Sequence, residues 1–480
     1  MTLAKRLTTQ PEWLLLAGLM ALRLLATART GLVPDESYYW LWAQHPALGY
    51  FDHPPMVAWW ISIGTLFGNA ALFVRLPFLV SFLALCIVSY DAARCWFGRQ
   101  VAWRTVLWLN ASLLLSVGSV MATPDPPSVL MWAAGLWTLA RLQTSGNGIW
   151  WLAFGLFEGL GCLSKYTNLF MGLGVLLWFV IDVPARRWLT TIWPWLGAGL
   201  ALAVLSPNLA WNAAHGWSTL AKQFGRIGAS HLTISYLAEF LISQPFLLNP
   251  ILCVFVGLGY KAWLKNRQSG PHALLIALPS PLIIYLLIHV FHDRVQGNWT
   301  APIFPGLIIL AAATSLTGSP KWKVLSQGAL PLGAGLTAVI LIWLSLGQGL
   351  AGAAGLSQGW EQLSQALESK ATQTGADWIA TTDYDTQGEL SYHLPQSTIF
   401  AVVEKSRYGW HVKDTRFLAD KALIVVARHH KPDLSRCFRN LTPLGDIARL
   451  PGNPLKPDFT LYSGWLISPT CELAVHSETP

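Results

Sequence analysis

Two carboxylates stand side by side at Asp35 and Glu36, behind Pro34 and ahead of Ser37-Tyr38-Tyr39-Trp40. The same stretch closes in Gly49-Tyr50-Phe51-Asp52-His53-Pro54-Pro55. Adjacent carboxylates beside an apolar segment can supply a general base. Pro34 followed by two acids equally suits a helix's first turn, where a missing N–H is harmless and the dipole favours negative charge. Tyr50–Pro55 also fits an aromatic anchor with a proline stop. Thr123-Pro124-Asp125-Pro126-Pro127 offers a further carboxylate or a tight turn. Leu163-Ser164-Lys165-Tyr166-Thr167 offers a cation that either snorkels to an interface or meets a phosphate. A basic and aromatic stretch carries Asn208, Asn212, His215, Trp217, Lys222, Arg226 and His231, a set suited to an anionic amphiphile. The last cluster holds His289, His292, Asp293, Arg294 and Asn298 without a diagnostic metal-ligand spacing. It reads as a hydrogen-bonded polar group first and a divalent-cation site second; no cofactor is firmly expected.

The elements that carry these residues are membrane spans. The chain has 480 residues, of which 53% are hydrophobic and only 12% charged. That is about half the charge of a soluble protein's average, which excludes a soluble enzyme, a coiled coil and a disordered scaffold. The net charge of +8 is not a nucleic-acid signature, because the basic residues form short patches between apolar stretches rather than a run. About eleven segments approach the ~20 apolar residues needed to cross hydrocarbon. They lie near 11–30, 57–92, 104–122, 127–142, 149–164, 166–182, 189–207, 236–260, 272–291, 300–317 and 326–348. The overlong second segment should begin as an interfacial helix, with its span starting near Arg75. The first has no small-residue cleavage site before Pro34 and reads as a span rather than a removed signal peptide.

Loop charge sets the orientation. Lys5/Arg6, Arg94/Arg99/Arg104, Arg141, Arg186/Arg187, Lys261/Lys265/Arg267 and Lys321/Lys323 all fall on one side, which the positive-inside rule makes cytoplasmic. The clusters carrying Asp35, Asp125, Lys165, Lys222 and Asp293 then fall on the external side. The division expected is a membrane domain over 1–350 and a small external α/β domain over 351–480. In the latter, 357–370 suits an amphipathic helix and 378–382, 398–403, 422–427 and 459–465 suit short strands. Cys437 and Cys471 are the two cysteines of that external part and are expected to form a disulfide in an oxidising compartment. The chain is expected to be a multi-pass inner-membrane protein of mainly α class, and a monomer.

These motifs, taken together, resemble the GT-C membrane glycosyltransferases. The acidic pair after the first span, Tyr-Phe-Asp-His-Pro-Pro, Arg75-Leu76-Pro77, the Thr-Pro-Asp turn, Leu-Ser-Lys-Tyr-Thr and Asn298-Trp299-Thr300-Ala301-Pro302 follow in that order. The set is similar to the bacterial branch related to protein O-mannosyltransferases, including the lipid A aminoarabinose transferase and rhizobial galacturonosyltransferases of lipid A and core. The resemblance covers roughly residues 10–320. It implies transfer of a sugar, with inversion, from a polyprenyl-phosphate carrier as co-substrate to an envelope acceptor on the periplasmic face. A lipid A, core or other glycolipid acceptor is favoured over a protein hydroxyl. Asp35 takes the place of the family's first-loop catalytic acid, with Glu36 beside it. His53, Arg75, Asp125, Lys165, Tyr166 and Arg294 become candidates for the donor phosphate and sugar. Asp52, Asn212, His215, Lys222, Arg226, His292, Asp293 and Asn298 become acceptor or loop candidates. The aminoarabinose transferases carry lysine where this chain has His53. A transporter is the competing class, but Arg23 and Glu158 are the main mid-span charges and no halves repeat.

Overall fold

The computed structural model describes residues 11–225, 232–267, 269–317, 319–346, 357–408, 415–428, 432–449, 458–468 and 470–473. Its contacts divide the chain into two compact units. One comprises Met1–Ala28 and Leu48–Ser345, the other Arg29–Ala47 and Leu346–Pro480. This differs from a division near residue 350 in one respect: the segment bearing Asp35 and Glu36 goes with the C-terminal unit. The physical reason is close helix packing inside that unit, described below.

All the regular elements of the first unit, among its described residues, are helices. Ala71–Phe97, Pro271–His289, Gly297–Thr317 and Pro320–Ser345 are long and apolar enough to cross a membrane, and three bent helix pairs raise the number to seven. The chain is thus a multi-pass membrane protein, although length and composition do not by themselves single out eleven spans. The segment expected near 57–92 is two helices, Met56–Thr65 and Ala71–Phe97. The segment expected near 236–260 is also two, Leu237–Leu248 and Pro250–Asn266, meeting at 100°. Pro250 cannot continue the preceding helix's hydrogen bonding. Asn249 stabilises the corner by accepting from the Ile251 N–H at 3.0 Å and donating to the carbonyls of Ala111 and Ala329 at 3.2 and 2.9 Å.

Small residues bring the spans together. A Cβ on Gly155 would strike the carbonyl of Gly197, so the Trp150–Ser164 and Trp193–Ala214 helices touch backbone to backbone. Their relative placement is therefore fixed, which sets where Lys165, at the end of the first helix, and Asn208, inside the second, stand; the loop expected to carry Asn208 and Asn212 is helical as far as Ala214.

The second unit is a five-stranded sheet, β1 Trp378–Thr381, β2 Ile399–Ala401, β3 Lys421–Ala427, β4 Phe438–Ile447 and β5 Phe459–Leu466, in the order β2-β1-β3-β5-β4. β1 runs parallel to both neighbours, while β5 pairs antiparallel with β3 and β4. Side chains alternate across the sheet. Ile379, Leu423 and Val425 meet Trp360, Leu363 and Leu390 of the helices on one face, and Ala380, Phe400, Ile424 and Phe438 pack on the other. Cys437 and Cys471 form a disulfide with a Cα–Cα distance of 5.5 Å.

Candidate functional site

In the C-terminal unit, Pro34–Gln44 is a helix entered through Val33. Glu36 is buried and its Oε2 accepts from the Val33 N–H at 3.0 Å, closing the helix's first turn. Glu36 therefore performs the helix-start role, whereas Asp35 on the same turn faces outward and is exposed. One helix turn thus separates two adjacent acids into a buried, structural carboxylate and an exposed one.

Asp35 meets a second helix, Tyr384–His393, which the sequence reading missed. Tyr384 directs its hydroxyl at Asp35 Oδ1 across 3.4 Å. The helices approach closely because Gly388 faces Ser37 and Tyr38: a Cβ there would lie 2.8 Å from the Tyr38 nitrogen. The rings of Tyr38 and Tyr384 are 5.3 Å apart, and the Arg407 guanidinium lies 4.9 Å from the Tyr384 ring centre. Burial, with Asp35 and Asp385 adding repulsion, pushes the Tyr384 hydroxyl far above the usual tyrosine range. It therefore remains a protonated donor beside Asp35. Burial, then Asp383 and Asp35, push Asp385 up to about 7. Burial likewise pushes Glu389 up to about 7, against the opposing pull of His393. An N-cap signal was available for this helix: Asp383 Oδ1 accepts from the Thr386 N–H at 2.7 Å.

In the membrane unit, three motifs distant in sequence converge. Lys165 Nζ lies 2.7 Å from Asp125 Oδ1, and Asn298 Nδ2 donates to Asp125 Oδ2 at 2.6 Å. Lys165 is only 5% exposed, so it does not snorkel outward. Asp125 begins the Asp125–Ser145 helix, and Lys165 terminates the Trp150–Ser164 helix in an extended conformation. Asn168 extends the cluster by donating to Ser128 Oγ at 2.6 Å.

A second group surrounds Tyr166. Its hydroxyl donates to Asn208 Oδ1 at 2.6 Å and accepts from Asn212 Nδ2 at 3.1 Å, while Asn208 Nδ2 donates to the Leu48 carbonyl at 2.7 Å. The Tyr50–Pro55 stretch continues onto the Ser218–Phe224 helix. Thr219 donates to the Tyr50 carbonyl at 2.5 Å, and Gln223 Nε2 donates to the Asp52 carbonyl at 2.6 Å, with His53 Nδ1 3.4 Å away. Lys222 Nζ lies 5.8 Å from the centre of the Phe51 ring. Thr219 and Gln223 carried no sequence signal, because neither stands in a recognisable motif.

The remaining candidates make other contacts. Arg294 forms a two-nitrogen ion pair with Glu239, with distances from 2.5 to 3.1 Å, and both partners are about half exposed. His292 Nδ1 lies 3.1 Å from the Ile288 carbonyl, and Asp293 accepts from the Arg294 N–H at 2.7 Å. His215 stacks on Trp211 with ring centres 4.0 Å apart. Arg75 is buried and donates to the Thr27 carbonyl at 3.3 Å. Arg226 lies outside the described residues.

Comparison with solved structures identifies the fold. ArnT from Cupriavidus metallidurans, solved bound to undecaprenyl phosphate, superposes with a TM-score of 0.69 at 17% identity, covering 94% of this chain and 97% of that one. The chain is a glycosyltransferase of the GT-C fold. The Archaeoglobus fulgidus oligosaccharyltransferase shares the fold more distantly, with a TM-score of 0.52 and 11% identity over 87% of this chain and 69% of that one. Among curated proteins, the lipid A galacturonosyltransferase RgtD of Rhizobium johnstonii is 26% identical over 379 residues, 76% of this chain and 78% of the relative. The family model for dolichyl-phosphate-mannose-protein mannosyltransferases matches residues 52–211. That match takes in Asp52, His53, Asp125, Lys165 and Asn208, and starts after Asp35.

Proposed function

We propose that this glycosyltransferase takes a sugar from a polyprenyl-phosphate carrier and transfers it with inversion to lipid A, LPS core or another envelope glycolipid. The observation that carries this reading is the convergence of Asp125, Lys165 and Asn298 from three separate loops. It is supported by the lipid A galacturonosyltransferase among the relatives and by the ArnT neighbour with its undecaprenyl phosphate. In this reading the enzyme sits in a bacterial inner membrane with eleven spans, and its loop clusters and C-terminal unit face the periplasm.

The chemistry requires three things. The acceptor hydroxyl must lose its proton, the anomeric carbon must exchange one oxygen for another, and the departing phosphate must keep the bonding electrons. Asp35 takes the proton, since it is the exposed acid of the pair while Glu36 is spent on the helix start. Lys165 is the foremost candidate for the departing phosphate's charge, held at fixed geometry by Asp125. His53, Arg75 and Tyr166 remain donor-side candidates. Lys222 and Asn212 remain on the acceptor side.

The decisive assay gives purified protein a polyprenyl-phosphate sugar and a lipid A acceptor. Asp35→Asn should abolish transfer while leaving the fold intact, and unchanged turnover would remove the base assignment. Mass spectrometry of envelope glycolipids with and without the protein tests the acceptor. An unaltered lipid A and core profile would overturn that part.

A further inference from the structure

The membrane unit carries a long groove that the transfer reaction does not use. Three helices form it, Pro11–Arg29, Ala71–Phe97 and Arg99–Asn110. Each turns one helical stripe into it: Leu16 and Met20 from the first, Leu83 and Ile87 from the second, Trp103 and Val106 from the third. The cavity measures about 1670 Å³, beyond the ~1,000 Å³ that compact ligands fill. Contacts between the helices mark its two ends. At one, the Trp13 and Trp103 rings lie 4.5 Å apart, next to Glu12 and one helical turn from Arg99. At the other, the Arg23 guanidinium sits 4.4 Å from the Phe82 ring centre, and Asn110 Nδ2 lies 3.9 Å from Cys86 Sγ.

Length and charge define what fits. Trp13 to Arg23, Leu83 to Arg94 and Arg99 to Asn110 each cover about 15–17 Å of helix at the usual rise. That is half of a hydrocarbon core of about 30 Å, the depth of one leaflet. The Trp13–Trp103 pair suits the membrane interface, where amphipathic rings gather. Arg94 and Arg99 flank the Gly98 corner at the same end. Both are exposed, and neither forms an ion pair among the described residues. Asp91, on the same rim, is already neutralised: it accepts from the Trp137 indole N–H at 2.7 Å and pairs with Arg141. Against half-buried Glu12, the two arginines leave this end with a surplus of one positive charge.

An extended apolar molecule one leaflet long, with a single anionic group at the arginine end, answers both features. We propose that this groove binds an anionic phospholipid of the leaflet on the arginine side, the cytoplasmic one in the orientation proposed above. An acyl chain lies along the Leu16–Met20 and Leu83–Ile87 stripes. The phosphate diester, with its one negative charge, meets Arg94 and Arg99. A zwitterionic lipid fits less well, because its ammonium brings a further cation to a rim already in surplus. The site does not depend on the sugar-transfer reading, since none of its residues belongs to the Asp35 or Asp125 groups.

Native mass spectrometry of the purified full-length protein tests this. Released from nanodiscs of equal phosphatidylglycerol, phosphatidylethanolamine and phosphatidylcholine, the protein should retain one phosphatidylglycerol through detergent washing. Arg94→Gln and Arg99→Gln should each weaken retention about fivefold, the worth of one basic residue at an anionic surface, and together about 25-fold. Ala17→Trp, at an exposed position in the groove, should displace the lipid while leaving both arginines in place. All three positions are exposed, so unfolding midpoints in lipid-free detergent should stay at the wild-type value. Retention of no lipid, of all three in equal measure, or of phosphatidylethanolamine first would overturn the proposal. So would displacement of phosphatidylglycerol by equimolar polyprenyl phosphate, or indifference to the arginine substitutions or to Ala17→Trp.

Discussion

Gly388→Ala is the most discriminating test of how Asp35 is held. The added methyl carbon would stand 2.8 Å from the Tyr38 nitrogen, 2.9 Å from Ser37 Oγ and 3.1 Å from the Ser37 carbonyl carbon. Ordinary contact begins at 3.4 Å, so the Pro34–Gln44 helix must retreat by roughly 0.6 Å. Two of the three obstructing atoms are backbone, which cannot rotate away. Overpacking of this kind costs about 1–3 kcal/mol. The displacement acts on the Asp35–Tyr384 contact, already at 3.4 Å. Since a misplacement of about 1 Å at a catalytic group costs on the order of a hundredfold, kcat should fall about 10–100-fold with a much smaller change in donor KM. The assay is steady-state transfer from a polyprenyl-phosphate sugar, with detergent-solubilised thermal unfolding run in parallel. Wild-type kcat together with a wild-type unfolding midpoint would refute the reasoning, because the helices could then not be as close as the geometry requires.

Other consequences can be checked alongside it. Lys165→Met leaves Asp125 with only Asn298 as its counterpart, and should destabilise the membrane unit by about 3 kcal/mol, the usual loss for breaking a buried pair. A Lys165→Met/Asp125→Leu double variant should recover stability but not activity. Cys471→Ser opens a 34-residue loop closed by the disulfide. The C-terminal unit should lose about 3–4 kcal/mol on the chain-entropy estimate, seen as faster proteolysis between residues 415 and 473. Glu389, raised from 4.5 to about 7 by burial, holds a proton in the folded state that the unfolded chain gives up earlier. Stability of this unit should therefore be full below about pH 4.5 and decline as pH rises toward about 7. Glu389→Gln should flatten that decline in a pH series of unfolding midpoints.

The sequence made the membrane class legible through scarce charge, and four of the five strands through short runs bounded by turn residues. It missed β4, Phe438–Ile447, because Asn440, Pro443 and Gly445 disrupt its pattern and its register shifts twice along β5. It also read 236–260 as one span, since hydropathy records apolarity and not the corner that Asn249 and Pro250 impose. In the site, the motifs holding Asp125, Lys165 and Asn298 were visible singly, but their meeting is a tertiary fact. Tyr384 was invisible for a different reason: a tyrosine after an N-cap aspartate carries no chemical signature until a helix from the other end of the chain lies against it. Arg294 shows the converse, a conspicuous cation whose partner, Glu239, stood unremarked within the 236–260 segment.

The alliance between Asp35 and Tyr384 spans 349 residues, and a ribosome adds about 5–20 residues per second. The helix carrying the proposed base is thus made roughly 20–70 seconds before the surface that orders it. Throughout that interval an exposed acid and a row of aromatic side chains, Tyr38, Tyr39, Trp40 and Trp42, wait without their native neighbours. Catalytic competence would then be the last thing synthesis confers, and an interrupted chain would be inserted in the bilayer yet inert.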